Sequence, residues 1–420
     1  MKSASHVSTE GSSTRSISKK QRIGMAVVLG SMTAIGPLSI DMYLPSLPML
    51  AADLQTTASY AQLSLTAFLL GIALGQLLMG PLSDARGRRM PLIASLVVYA
   101  ATSFLCAFVP SIWGLLALRF IQGVAGAGGI VIARAMVRDM YDGPELTKFF
   151  SLLMLINGLA PIMAPVAGGQ LLKWTTWHGI FVVLGLLGIL LIASAVWGLK
   201  ETLPEQRRLK GGVKATLSTF GGLLGDRAFM GFALSMGLVS AAMFAYISGS
   251  PFVLQDIYGV SPQMFSLLFA LNGLGLIIAT QITGRLVGRY HESQLFVAGL
   301  LLSLAGGLTL LAMILIDAPL LAILIPLFVS VSSTGVVGTV GFSLAMQNQA
   351  SNAGSASAML GLLPFILGSV VAPLVGLGGG HTAVPMGIVI ACCSLLAMTF
   401  YVSMIRKRYA NPVDQKGMSV

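Results

Sequence analysis

Between Gly75 and Ile93 the chain reads GQLLMGPLSDARGRRMPLI, in which Asp84, Arg86, Arg88 and Arg89 fall within six residues. On either side it is almost entirely apolar. A polar link this short leaves no room for a domain. It fits the turn of a hairpin of two membrane helices, held at the cytoplasmic surface where Lys and Arg collect.

The rest of the chain agrees with a bilayer as its solvent. Only 9% of the residues are charged and 55% are hydrophobic, against about 25% charged in a soluble protein. The net charge of +11 therefore reads as anchoring on the cytoplasmic leaflet rather than as a nucleic-acid surface. Cys106, Cys392 and Cys393 lie within apolar runs at spacings that suit no metal,. His6, His178, His291 and His381 fall in the tail or at the ends of spans. No metal, cofactor or enzymatic centre is expected. Residues 1–22 are rich in Ser and basic residues and read as a disordered cytoplasmic tail,. The apolar run that follows is too long for the core of a signal peptide.

Runs long enough to cross the bilayer, about 20 apolar residues each, lie near 23–47, 60–83, 90–109, 112–137, 149–172 and 178–199. A second set lies near 228–249, 263–288, 294–316, 318–342, 354–378 and 383–405. Of the 25 Lys and Arg, 22 lie in the tails and even-numbered loops, which places both termini in the cytoplasm,. A basic linker, 200–227, divides two six-span units, 23–199 and 228–405, and a tail follows at 406–420. Gly284 to Arg289 echoes Gly80 to Arg86 at an offset of about 204 residues, as in transporters built from paired repeats,. The expected fold is all-α and membrane-embedded, with twelve helices in two pseudo-symmetric bundles of six.

Charges inside spans are costly and need a reason. Asp41 lies about 28 Å along the first helix from Arg22, in its outer half. It reads either as an interfacial carboxylate facing the outer water or as a desolvated one that loads and releases a proton. Arg119, about 10 Å into the fourth span, is its expected partner in proton coupling. A purely structural Arg bonded to helix carbonyls is the alternative. Arg134, about 22 Å further on, reads as structural or gating and outside the substrate cavity. In span five, Gly158, Pro161, Pro165, Gly168 and Gly169 suggest a hinge and a close-packed seam. Tyr43, Gln122, Asn157, Phe244, Tyr246 and Asn272 are candidates to line a substrate cavity.

Across nearly its whole length the chain resembles the major facilitator superfamily, and within it the twelve-span drug:proton antiporters of the bicyclomycin- and chloramphenicol-resistance type. Gly80 to Arg89 is similar to that family's signature between spans two and three, and Leu118 to Gly123 to its span-four signature. Gly158 to Gly169 resembles the antiporter motif, with Ala164 in place of the usual Gly, and Asp41 to Pro45 the acidic motif of span one. The resemblance implies alternating-access export of small amphipathic drugs from a bacterial inner membrane in exchange for protons, by a monomer. It also implies a cytoplasmic gate of Asp84, Arg86, Arg88, Arg89 and Asp139, with Arg86 reaching Asp139. Import of a metabolite with protons, and a receptor or scaffold that no longer transports, are the competing readings.

Overall fold

A computed structural model describes residues 19–208, 221–349 and 353–406. Of the tails expected at 1–22 and 406–420 and the linker at 200–227, residues 1–18, 407–420 and 209–220 lie outside the described residues, whereas Lys19 to Arg22, expected to be disordered, already form the start of the first helix. Among the described residues there is no β-strand; the chain is helical apart from its turns. The first half comprises α1 (Lys19–Thr33), α2 (Ile35–Asp41), α3 (Leu47–Asp53), α4 (Ala58–Arg86), α5 (Arg89–Phe108), α6 (Ile112–Met140), α7 (Gly143–Leu171) and α8 (Trp177–Gly198). The second comprises α9 (Arg227–Phe252), α10 (Pro262–Leu286), α11 (Glu292–Leu315), α12 (Leu320–Met346), α13 (Ala353–Val371) and α14 (Val384–Phe400). Among the described residues eleven helical stretches are long and apolar enough to cross a membrane, and one bent pair, Gly24–Thr33 with Ile35–Asp53, makes a twelfth span.

That bent pair corrects the single helix expected over 23–47. The chain bends by 47° between Thr33 and Ile35. Pro37 has no N–H to give the carbonyl one turn back, and its ring crowds that carbonyl, so the helix breaks just before it. The corresponding span of the second half, α9, carries Pro251 and passes into a π-helical turn at Val253–Ile257. Span eleven also departs from a plain helix: beyond Val371 it tightens into a 3-10 segment, Ala372–His381. Elsewhere the helix starts follow local chemistry. The Thr57 hydroxyl accepts from the Tyr60 N–H at 3.4 Å, and Asp226 accepts from the N–H groups of Ala228 and Phe229 at 3.0 and 3.2 Å,.

The two halves repeat one another more closely than the echo around Gly284 indicates. Within the first span of each half, an offset of 203 residues relates Tyr43 to Tyr246, Pro48 to Pro251 and Asp53 to Asp256. It also sets Asp41 opposite Phe244.

Close packing joins the helices within and between the halves. At Gly71 and Gly123, α4 and α6 approach so nearly that a Cβ on Gly71 would strike the Phe120 carbonyl,. Between the halves, α7 meets α10, where Gln263 Nε2 donates to the Gly169 carbonyl at 2.9 Å. The start of α4 meets the 3-10 segment, where the Ser59 hydroxyl donates to the Gly376 carbonyl. Both contacts lie at the face remote from the Asp84–Arg89 turn and seal it. At the face of that turn the halves part around a vestibule of about 600 Å³.

Candidate functional site

A cavity of about 390 Å³ lies between the halves and shares Gln76, Arg134 and Gly361 with the vestibule. Its first-half wall comes from α1, α2, α4, α6 and α7, through Thr33, Pro37, Asp41, Arg134, Asn157 and Pro161. The second half contributes Phe244, Tyr246, Phe269, Asn272 and Phe365. Among the described residues Asp41 is its one carboxylate. The residue is only 5% exposed, and among the described residues it pairs with no cation. Asn157 Nδ2 donates to Thr33 Oγ1 at 2.6 Å and to the Leu153 carbonyl at 2.9 Å, tying α7 to α1. Opposite, Asn272 Nδ2 donates to the Tyr246 hydroxyl at 2.8 Å, and the Tyr246 ring stacks on Phe269 with centroids 5.3 Å apart.

Arg119 is not the ion-pair partner of Asp41 in this structure. It is completely buried inside the first half. Its Nη1 donates to Gln122 Oε1 at 2.6 Å and its Nη2 to the Ser39 carbonyl at 3.0 Å. The guanidinium lies 4.2 Å from the Phe68 ring centre, 4.6 Å from Tyr43 and 5.6 Å from Phe181. Aromatic faces and neutral acceptors thus stabilise the charge in place of a carboxylate. The network continues through Gln122 Nε2, which donates to Ser103 Oγ at 2.7 Å, and through the Ser39 and Tyr99 hydroxyls, 2.6 Å apart.

Two expected cavity residues therefore belong elsewhere. Gln122 is fully buried beneath Arg119. Tyr43 is fully buried too, its hydroxyl bonded to Ser64 at 3.0 Å and its ring against Phe181. Asn157, Phe244, Tyr246 and Asn272 do line the cavity, and so does Arg134, which the sequence reading left outside it.

The glycines and prolines of α7 serve two neighbours. Pro161 faces the cavity. A Cβ on Gly168 would collide with the Met42 carbonyl, and one on Gly169 with the Ser266 hydroxyl. The Gly168–Gly169 end therefore packs against both the first span and α10. Gly158, by contrast, has only Ile277 nearby, and Pro165 stands within the helix.

At the charged turn, Arg88 rather than Arg86 reaches Asp139. Arg88 Nε donates to Asp139 Oδ2 at 2.8 Å, and its Nη1 donates to Ser83 Oγ at 2.9 Å and to Asp84 Oδ1. This cluster ties α4, α5 and α6 of one half together and does not cross to the other. Arg86 is exposed and borders an outer groove beside Met79 and Met90. Arg89 Nη2 donates to the Val196 carbonyl at 2.6 Å.

Sequence reasoning missed Glu201. Its Oε1 accepts the N–H groups of Arg88 at 2.8 Å and of Thr202 and Leu203 at 3.0 Å, and its Oε2 accepts that of Arg89 at 3.1 Å. It caps α5 from 113 residues away,. Burial, the largest influence, pushes this carboxyl up, but the four N–H groups together outweigh it and hold it below the usual carboxylate range,. The only hint in the sequence was an acidic residue opening a basic linker.

A cavity on the axis between two six-helix halves, sealed at one end, is the arrangement of an alternating-access transporter. The family pattern of the Major Facilitator Superfamily matches residues 29–373. An uncharacterized MFS-type transporter of Bacillus subtilis, YdgK, is 46% identical over 93% of this chain and 97% of its own. A bicyclomycin resistance protein homolog of Haemophilus influenzae is 28% identical over 89% of this chain and 94% of its own. The crystal structure of the nucleoside transporter NupG superimposes with a TM-score of 0.73 at 14% identity, covering 92% of this chain and all of that one, and so shares the fold. Sequence and architecture agree: the chain belongs to the major facilitator superfamily, whose members are membrane transporters and not enzymes.

Proposed function

We propose that this protein exports small amphipathic molecules across a bacterial inner membrane in exchange for protons, working as a monomer with the Asp84–Arg89 face in the cytoplasm. The observation that carries this reading is Asp41. It is a carboxylate without a cation partner, on the wall of an otherwise largely apolar cavity between the halves. Such a group is costly in a membrane protein unless it changes its charge during work. A proton arriving from outside neutralises Asp41 and releases whatever the ionised carboxylate had held. Rocking of the halves then carries the empty site back. A potential of 100 mV adds about 2.3 kcal/mol for each charge moved. The name of the Haemophilus influenzae relative supports a drug as cargo, and the basic residues gathered on one face support the orientation.

The test is drug-evoked proton flux in proteoliposomes, wild type beside Asp41→Asn, with chloramphenicol and bicyclomycin in the panel. Flux in the wild type that disappears in the variant is the expected result. Flux that survives the substitution moves the proton site away from Asp41. Cotransport of drug and proton in the same direction overturns export in favour of uptake.

A further inference from the structure

The cavity has two charged poles. Asp41 stands at its sealed end. Arg134 lines both the cavity and the vestibule, and so stands at its mouth. The level of Arg134 follows from packing. A Cβ on Gly36 would lie 3.1 Å from Ile130, and one on Gly129 would lie 2.9 Å from the Met32 carbonyl. Arg134, four residues beyond Ile130 and five beyond Gly129 on a helix antiparallel to the first span, is thus level with the stretch between Val27 and Met32. Asp41 lies beyond that stretch along the first span, so the two backbone positions are separated by about 14 to 21 Å of helix rise. The long Arg134 side chain shortens that gap, because helical side chains lean toward their own N-terminus, here toward Asp41.

Neither pole is neutralised from within. Arg134 makes no ion pair among the described residues. The charged side chains nearest it on α6 are Arg138, of the same sign, and Asp139, which is engaged by Arg88 and by the Thr202 hydroxyl at 3.1 Å. Between the poles the wall is largely apolar, with Pro37, Ile40, Ile130, Met243, Phe244 and Phe365. The polar Asn157 and Asn272 on it are uncharged and already bonded to Thr33 and Tyr246. From this geometry we infer that the preferred cargo is an amphipathic zwitterion. Its cationic nitrogen meets Asp41, its carboxylate meets Arg134, and its apolar body spans the wall between them. A plain cation satisfies Asp41 alone, must pass Arg134 and Arg138 to arrive, and leaves the mouth charged in a poorly solvating site. A plain anion is held at the mouth and leaves Asp41 uncompensated.

This inference rests on the cavity being the cargo site of the proposed exporter, yet binding tests it without transport. Ciprofloxacin is a rigid, fluorescent probe with its piperazine nitrogen and its carboxylate at opposite ends. Its ethyl ester is a cation, and its N-acetyl derivative is an anion of nearly the same shape. Fluorescence titration of the purified protein at neutral pH is expected to show the zwitterion binding roughly tenfold tighter than either derivative. Arg134→Met is expected to bring ciprofloxacin down to the level of its ester while leaving the ester unweakened, and Arg134→Lys to restore most of the difference. Asp41→Asn is expected to bring ciprofloxacin down to the N-acetyl form. Equal binding of all three forms by the wild type overturns the inference and needs no variant. So does failure of ciprofloxacin to bind, or a zwitterion preference that survives Arg134→Met. A zwitterion preference without drug-evoked proton flux in liposomes removes the export reading and leaves the two-pole site standing.

Discussion

The two halves share a fold but divide the chemistry between them. Asp41, Arg119 and Arg134 all belong to the first half, whereas α12 carries no charged residue between Leu320 and Met346. The second half faces the same cavity with Phe244, Tyr246, Phe269 and Phe365. The repeat shows where the roles parted: Asp41 corresponds to Phe244, and Tyr43, buried beneath Arg119, corresponds to Tyr246, which lines the cavity. A duplicated backbone thus supplies two walls, one charged and one aromatic.

The charged turns teach the same lesson at a smaller scale. Gly87 and Gly288 both have φ of +90°. This conformation, and not the Gly80–Gly284 echo, sets the register, so Asp84 faces Arg285 across the repeat and Gly288 corresponds to Gly87. The first turn is clamped by Arg88, Asp139 and Glu201. In the second, Arg289 is exposed and nothing approaches the place where a Gly288 Cβ would stand. The backbone turn was duplicated while the clamp belongs to one copy.

Substitutions can break this contrast. Arg88→Met leaves Asp84, Asp139 and Ser83 without their common donor and is expected to destabilise the protein by about 3 kcal/mol, as when one partner of a buried pair is removed. Arg289→Met is expected to change stability by under about 0.5 kcal/mol. Denaturation in mixed micelles reads both, and equal losses would end the claim of a one-sided clamp. Next in size, alanine at either glycine forces a side chain into a left-handed backbone, at about 1 kcal/mol. At Gly87 the new Cβ would also lie 2.6 Å from the Glu201 carboxylate, raising the loss to about 2 kcal/mol. Matching losses for Gly87→Ala and Gly288→Ala, measured the same way, would show that Glu201 yields freely.

The smallest expected effect concerns acid. Glu201 is held below the usual carboxylate value in the folded protein. Its contribution is therefore complete above about pH 4.3 and is lost as pH falls through the lower, folded value. Thermal unfolding of the wild type is expected to steepen with acid below about pH 4.3 relative to Glu201→Gln, slightly because the residue is exposed. Parallel pH curves would deny Glu201 its capping role.

What could be read from the chain was whatever lies along one helix. The spans, the paired halves and the neighbouring depths of Asp41 and Arg119 all follow from counting residues at a fixed rise. Which way Arg119 turns was not legible, because Phe68, Phe181 and Tyr43, which enclose it, come from three other segments. Gln122 and Tyr43 were misplaced for the same reason: polarity inside a span shows that a partner exists, not which side it is on. Glu201 was hidden because its role arises only when the end of α8 comes to lie beside the start of α5. Arg134 looked peripheral from its depth, and only the parting of the halves puts it on the cavity wall.

The short helix α2 has a mechanical consequence of its own. It is two turns long and jointed at both ends, by the break before Ile35 and by the 3-10 turn that begins at Leu44. Near one end it carries the cavity's carboxylate, and two residues earlier its Ser39 carbonyl hangs from a permanently charged guanidinium. A stiff rod of that length has no slack with which to move one point and not the other. Any displacement imposed on Asp41 is therefore felt at Ser39 as strain on the Arg119 tether, and through Arg119 by the aromatic rings packed around it.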